Sequence, residues 1–146
     1  MEGKIDDLFN EGIELRDSGQ LVQSAQIFLK IIQNYPDDRK LGGTCEVLAG
    51  IYFDLQDFNN SLAYFTKATQ LRPHSELASL GVYLSYVKLN DYGEAIKELK
   101  RYLGVYPANL YRDTLEELLE DLKNGYATSF KDTIIFFAKK NGLTAA

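Results

Sequence analysis

Residues 91–107 read DYGEAIKELKRYLGVYP. Asp91 is followed three residues later by Glu94, the spacing of a capping box at a helix N-terminus. Proline cannot continue a helix interior, so Pro107 indicates a turn just past a helix end. The stretch therefore predicts one amphipathic helix between a polar start and a proline stop. Its apolar residues recur at helical spacing: Tyr92, Ala95, Leu99 and Tyr102.

The three prolines of the chain give the spacing of a larger unit. Pro36 and Pro73 are separated by 37 residues (36 to 73), and Pro73 and Pro107 by 34 residues (73 to 107). Each proline follows a segment with apolar residues at helical spacing. Self-similarity at a period of 20–50 residues is typical of repeat proteins. The sequence therefore predicts repeated units of about 34 residues.

Each unit contains a short polar break between two amphipathic halves, which predicts a helix, a turn and a second helix. The breaks are at residues 17–20, 56–57 and 90–91. Small residues allow the two helices to approach closely, and aromatic side chains fill the space around them. The small residues are Gly12, Ala49, Ser24, Ser61 and Ala95, and the aromatic residues are Phe28, Tyr52, Phe65 and Tyr86.

Residues 4–107 resemble the tetratricopeptide repeat family. The resemblance lies in the spacing of the units, in their small and aromatic residues, and in the proline that ends each unit. The resemblance implies an all-α fold: an α-solenoid, wound as a right-handed superhelix, of three helical hairpins at about residues 4–37, 42–74 and 75–107. Tyr83 departs from the family pattern, because a small residue usually occupies its place unless Gly81 takes that part. The loop at residues 37–43 accounts for the three extra residues between the first two prolines.

Residues 108–146 do not repeat the motif and are predicted to form a helical pair that caps the solenoid. Asp113 and Glu116 fit a second capping box, with a helix from about 113 to 123. Ser129 is predicted to cap a helix over 129–139. The alternative is that this last helix lies in a groove, either of this chain or of a partner.

The composition excludes several classes of protein. The 146 residues carry a net charge of −5 and are 45% hydrophobic, so a packed core is expected and a disordered chain is not. The negative charge disfavours nucleic-acid binding. We find neither a secretory signal nor an apolar run long enough for a membrane span, and the single cysteine, Cys45, fits a reducing compartment. A cytoplasmic location is therefore expected.

The sequence predicts no catalytic residue, no metal site and no cofactor. His74, the only histidine, follows Pro73 in a turn and has no nucleophile motif to act with, so it is interpreted as an exposed turn residue. Cys45 lies near a helix N-terminus, which can activate a thiol, but a small core residue is the favoured interpretation. The acidic residues of 116–121 are interpreted as the solvated face of a helix. The protein is therefore not expected to be an enzyme.

The resemblance implies a concave surface formed by the first helix of each repeat, where the family binds its ligands. One subclass of the family holds an acidic C-terminus there with Lys, Asn and Arg. The corresponding residues here are Phe9, Ile13, Val47, Leu77 and Gly81, so recognition of such a carboxylate is disfavoured. The same register predicts an apolar groove with glycine gaps at Gly50 and Gly81. Its predicted anchors are Phe9, Ile13, Val47, Phe53, Leu77, Leu80, Leu84 and Val87, and its predicted rim is Arg16, Glu46, Asp54 and Lys88.

These features predict a non-catalytic protein-binding module, acting as an adaptor or small chaperone for an apolar peptide or helix. One alternative is that several groove residues belong to the core of the hairpins. A second is an immunity protein that blocks a bacterial toxin domain, for which the acidic charge would favour a basic target. The expected partner is another protein, with no nucleic acid and no membrane. The oligomeric state stays open.

Overall fold

A computed structural model describes residues 2–144 of the chain. These residues form eight α-helices and one short 3-10 turn, with no strand among them, so the predicted all-α class is confirmed. The α-helices are α1 (Glu2–Asp17), α2 (Leu21–Asn34), α3 (Leu41–Asp54), α4 (Phe58–Leu71), α5 (Glu76–Lys88), α6 (Tyr92–Leu103), α7 (Tyr111–Lys123) and α8 (Lys131–Lys140). The 3-10 turn is Thr128–Phe130.

The first six helices form three hairpins, and each hairpin packs on the next. Helix α1 packs on α2, α3 on α4, and α5 on α6, while α2 contacts α3 and α4 contacts α5. Helices α3 and α5 also contact each other directly. A hairpin cannot bury its apolar face alone, and the buried apolar residues form three clusters, each built from neighbouring helices of the stack. The predicted α-solenoid is thereby confirmed.

The turn inside each hairpin contains one residue with a left-handed backbone. These residues are Gly19 (φ 83°), Gln56 (φ 62°) and Asn90 (φ 62°). Their separations of 37 residues (19 to 56) and 34 residues (56 to 90) equal those of the prolines. The three turns are therefore equivalent, although only the first uses glycine, the residue that adopts this conformation without steric cost.

Aspartate caps start the second helices of the last two hairpins, as predicted. Asp57 accepts a hydrogen bond from the backbone N–H of Asn60, and Asp91 accepts one from that of Glu94. Each bond satisfies one of the helix donors that has no partner within the helix.

The cap predictions for α7 and α8 are wrong. Helix α7 begins at Tyr111, two residues before Asp113, and Ser129 lies inside the 3-10 turn and makes no cap bond. The start of α7 is held instead by Glu76 of α5, whose Oε2 accepts from the backbone N–H groups of Asn109 (2.8 Å) and Tyr111 (3.0 Å). A side chain distant in sequence therefore replaces the local cap.

Two glycines let neighbouring helices approach closely. A Cβ atom at Gly12 would lie 2.6 Å from the Phe28 ring, and one at Gly81 would lie 2.4 Å from the Phe65 ring. Real Cβ atoms do not come so close, so only glycine fits at either position. The Gly12 contact is within the first hairpin, and the Gly81 contact joins α5 to α4 of the preceding hairpin. Gly81 therefore provides a close approach between repeats.

Tyr83 is buried, although the family pattern has a small residue at its place. Its ring packs edge-to-face on Tyr111 of α7, with ring centroids 6.0 Å apart. The departure noted in the sequence thus gives the third hairpin a contact with the C-terminal helices.

The C-terminal helices share a core with the third hairpin. Leu99, Leu115 and Ile134, from α6, α7 and α8, are fully buried in it. The Lys140 Nζ donates to the Leu103 carbonyl (3.0 Å), and the Asn141 side chain accepts from the Ala108 N–H (2.8 Å). That this pair acts as a cap stays a prediction.

We predict opposite effects for two Gly→Ala substitutions. Alanine is favoured over glycine in a helix by about 1 kcal/mol, so Gly50→Ala in α3, where a Cβ meets nothing within 4 Å, should stabilise the protein by up to about that amount. In Gly81→Ala the new methyl group would overlap the buried Phe65 ring, with a strain of about 1–3 kcal/mol. Gly81→Ala should therefore be destabilising in urea unfolding. Equal stabilisation by both variants would contradict the close-packing argument.

Candidate functional site

A depression of about 440 Å³ lies between α3 and α5. We call it the groove. Five of the eight anchors predicted from the sequence line it: Val47, Phe53, Leu77, Leu80 and Leu84. The predicted anchors thus lie largely on one open surface.

Three leucines of α5 form one stripe of the groove wall. Leu77, Leu80 and Leu84 have the spacing i, i+3 and i+7, which places them on one face of a helix. Leu77 is 54% exposed and Leu84 is 36% exposed, while Leu80 is half-buried. Large apolar side chains therefore face solvent along the length of this helix.

The remaining three anchors lie outside this depression. Phe9 packs edge-to-face on Phe28 at 5.2 Å and lines a second depression, between α1 and α3. Ile13 is half-buried against the core of the first two hairpins. Val87 lines a third cavity beyond α5. The alternative that some anchors belong to the hairpin core applies in part to five of them: Phe9, Ile13 and Val47 pack against the core of the first two hairpins, and Leu80 and Val87 pack against that of the third.

The two predicted glycine gaps differ. At Gly50 the space beside the backbone is open, so the groove wall has a gap there. At Gly81 the same space is filled by the Phe65 ring, which itself lines the groove. The prediction of a gap at Gly81 is therefore wrong, because the neighbouring helix supplies an aromatic ring.

Glu46 is buried at the end of the groove and does not act as a free rim charge. Its Oε2 pairs with the Arg72 Nη1 at 3.2 Å, and its Oε1 accepts a hydrogen bond from the Ser75 hydroxyl. The Ser75 Oγ in turn accepts from the Ala78 N–H and so caps α5. The carboxylate of α3 is thereby tied to the end of α4 and to the start of α5.

The cations near the α1 end of the groove are engaged by residues of the chain itself. Lys40 forms an ion pair with Asp6, and Arg72 pairs with Glu46. Arg16, on the groove rim, pairs with Asp17 at 3.1 Å. Lys88, also predicted for the rim, lies over the Phe58 ring, 5.9 Å from its centroid. Asp54 lines the groove and is exposed.

The cavity that Val87 lines has a volume of about 480 Å³ and lies where α5, α6, α7 and the 3-10 turn meet. We call it the tyrosine cavity. Leu84 lines both this cavity and the groove. Its other walls include Tyr83, Val87, Tyr92, Tyr126 and Phe130, together with Glu117 and Asp121. The acidic residues of α7 are exposed, as predicted. Glu117 and Asp121 lie at this cavity, and Glu116 and Glu120 lie at a different depression.

A family profile described as "Tetratricopeptide repeat" matches residues 43–75 and 84–109. The first matched stretch covers almost all of the α3–α4 hairpin, and the second covers the end of α5 and all of α6. The chain contains tetratricopeptide repeats. The second match begins directly after Tyr83, the position at which the sequence departs from the family pattern.

Tetratricopeptide repeats are in general non-catalytic modules that mediate binding to other proteins. The α1–α2 hairpin lies outside the two matched stretches, yet it has an equivalent turn and a glycine–aromatic contact of its own. A search of the curated proteins gives no match to this repeat protein.

The only histidine and the only cysteine of this repeat protein lie outside the groove. His74 is exposed in the turn after α4. Cys45 is fully buried, and burial raises the pKa of its thiol, so activation by the helix N-terminus is not found. Across the described side chains, those of residues 3–144, no group of three or more His, Cys, Asp or Glu residues could hold a metal ion. In the same part of the chain, no helix combines the length and apolar character that a bilayer crossing requires.

We predict that Tyr83 makes stability fall at alkaline pH. Burial, followed by the nearby Asp121 and Glu117 carboxylates, raises the pKa of Tyr83 to about 12, against about 10 in the unfolded chain. The unfolded state therefore loses its phenol proton first, and this contribution to stability, complete below pH 10, is lost as the pH rises to 12. The loss should reach about 1.4 kcal/mol at pH 11.

Urea unfolding of the wild type and Tyr83→Phe between pH 8 and pH 11 checks this prediction. The variant has no phenol at this position. Its free energy of unfolding should therefore fall by about 1.4 kcal/mol less than that of the wild type as the pH rises to 11. Tyr126→Phe, which changes a side chain that is 68% exposed, is the control. Parallel pH profiles for the wild type and Tyr83→Phe would contradict the prediction.

Proposed function

We propose that this protein is a non-catalytic binding module whose groove holds an apolar segment of another protein, as an adaptor or small chaperone. The stripe of Leu77, Leu80 and Leu84 over an open depression is the observation that carries the proposal. The remaining proposed anchors are Phe9, Ile13, Val47, Phe53 and Val87.

The exposed leucines favour a binding role on energetic grounds. Complete burial of one leucine side chain contributes about 1.5–3 kcal/mol. Leu77 and Leu84 leave much of this contribution unused in the isolated chain, because they are 54% and 36% exposed. A partner that covers both residues would gain that stabilisation without disturbing the core of the repeats.

The shape of the groove suits an amphipathic helix or an extended apolar stretch. The leucine stripe runs along α5, and the open space beside Gly50 gives a partner side chain access to the wall formed by α3. A helix with apolar residues at i, i+3 or i+4, and i+7 matches such a stripe. An acidic C-terminus is a poor ligand, since Arg72 and Lys40 already pair with Glu46 and Asp6.

The alternative is an immunity protein that covers a folded toxin domain. The net charge of −5 and the exposed carboxylates of Glu117 and Asp121 favour this second function, because acidic groups attract a basic target. The two functions differ in what they bind: a chaperone or adaptor binds a short peptide, whereas an immunity protein needs the folded surface of its target.

We predict that Leu77→Glu and Leu84→Glu each weaken binding of an apolar helical peptide by at least about tenfold. Each variant removes leucine contacts and places a carboxylate against apolar walls. The probe is a labelled peptide of about 15 residues with leucines at i, i+4 and i+7 on a polar background, titrated by fluorescence anisotropy. A set of folded basic domains is titrated in parallel.

Val22→Glu is the matched control, since Val22 is 55% exposed on α2, away from the helices that line the groove. It should bind the peptide as the wild type does. Peptide binding that depends on Leu77 and Leu84 supports the adaptor or chaperone. Binding of folded domains alone favours the immunity protein, and equal peptide binding by all variants would remove the groove from the function.

A further inference from the structure

The tyrosine cavity has apolar walls but acidic groups at its edge. Val87 and Leu84 of α5 and the rings of Tyr92, Tyr126 and Phe130 give it a largely apolar lining. Glu117 and Asp121 of α7 line the same space, and no Lys, Arg or His does. Such a cavity suits a ligand group with an apolar body and a positively charged end.

The two carboxylates have no side-chain partner among the described side chains. Neither Glu117 nor Asp121 forms an ion pair or a side-chain hydrogen bond with any of the residues 3–144. Two acidic side chains of α6 are paired, Glu98 with Arg101 at 2.7 Å and Glu94 with Lys97 at 3.3 Å, whereas Glu117 and Asp121 are not. The negative charge at the cavity is therefore available to a ligand.

The Tyr83 hydroxyl is a second, independent indication that the tyrosine cavity binds a ligand. Tyr83 is only 6% exposed, yet its hydroxyl makes no hydrogen bond with another described residue. No side-chain polar atom in the described part of the chain is both fully buried and unpaired, so this hydroxyl keeps access to the cavity that Tyr83 lines. The neighbouring Tyr111 hydroxyl, in contrast, bonds to Ser79 at 2.8 Å. The Tyr83 oxygen is therefore free to accept a hydrogen bond from a ligand group in the cavity.

We infer that the tyrosine cavity binds a basic side chain, of arginine or lysine, carried by the segment that lies in the groove. The aliphatic stem packs on Leu84 and Val87, and the charged head reaches the Glu117 and Asp121 carboxylates and donates to the Tyr83 hydroxyl. The aromatic walls add cation–π attraction. The inference rests on the proposed function, because the basic residue belongs to the bound segment.

The position of Leu84 connects the two sites. It lines both the groove and the tyrosine cavity, so one bound segment can cover the leucine stripe and place a neighbouring side chain in the cavity.

A metal ion is a poor occupant of the tyrosine cavity, because Ca²⁺ takes six to eight oxygen ligands and Mg²⁺ requires octahedral coordination, whereas two carboxylates and aromatic rings line this space. An anionic side chain would be repelled by the carboxylates.

The test uses leucine-bearing helical peptides in which a single arginine is moved through the polar positions, each paired with the same peptide carrying citrulline, an uncharged isostere. At low salt, the best arginine peptide should bind about tenfold more tightly than its citrulline form. The double variant Glu117→Gln/Asp121→Asn should abolish this preference, and Tyr83→Phe should reduce it.

Glu116→Gln/Glu120→Gln is the matched control. It removes the same charge at the same spacing from the same helix, but these residues line a different depression. This control should keep the arginine preference. Equal loss of the preference in both double variants would show general attraction to an acidic protein and would overturn the inference.

The inference and the proposed function can fail separately. If the peptides bind and Leu77→Glu, at a residue that lines the groove but not the cavity, prevents binding, but arginine and citrulline peptides bind equally, the basic pocket is wrong and the groove stands. If no peptide binds, the groove is wrong, and the cavity is tested by NMR titration with N-acetyl-arginine methylamide. Shifts of the Tyr83, Glu117 and Asp121 amides that the citrulline analogue does not produce would support the cavity. Their absence would overturn it.

Discussion

The contact between the Phe65 ring and Gly81 determines both how the repeats stack and what the groove contains. The ring of α4 occupies the space that any side chain at position 81 would need, which brings α4 and α5 close together. Nearby, the Ser61 and Ser85 hydroxyls join the same two helices at 2.9 Å. Phe65 also lines the groove. Because Gly81 has no side chain, the aromatic ring of Phe65 fits among the apolar walls of the groove. Helix stacking and groove chemistry therefore depend on one glycine.

A set of polar bonds keeps the groove helices in register. Glu46 connects α3 to Arg72 and Ser75, and Glu76 connects the start of α5 to the start of α7. A buried carboxylate is costly unless its oxygens are satisfied, and Glu46 has partners on both. These bonds order the first turn of α5, which carries Leu77. The exposure of that leucine is thus a property of an ordered helix.

The sequence was sufficient to predict whatever depends on local patterns. The prolines, the polar breaks and the caps at Asp57 and Asp91 are local signals, and the structure has turns and caps at these places. Contacts between distant residues were not predictable. Glu76 holds the start of α7 from 35 residues away (76 to 111), so the local signal at Asp113 was misleading. The division of the α7 acids between two depressions depends on how α7 is rotated against α5, which no periodicity encodes.

The path of α8 explains why the chain leaves its own apolar stripe uncovered. Helix α8 packs on α7, and the bonds from Lys140 to the Leu103 carbonyl and from Asn141 to Ala108 hold its end beside the loop after α6. No residue of α8 lines the groove between α3 and α5. Moving α8 into the groove would break these bonds and expose Ile134, which is fully buried, in order to cover leucines that are only partly exposed. Such an exchange gains little apolar burial and loses hydrogen bonds, so a separate polypeptide is the better occupant.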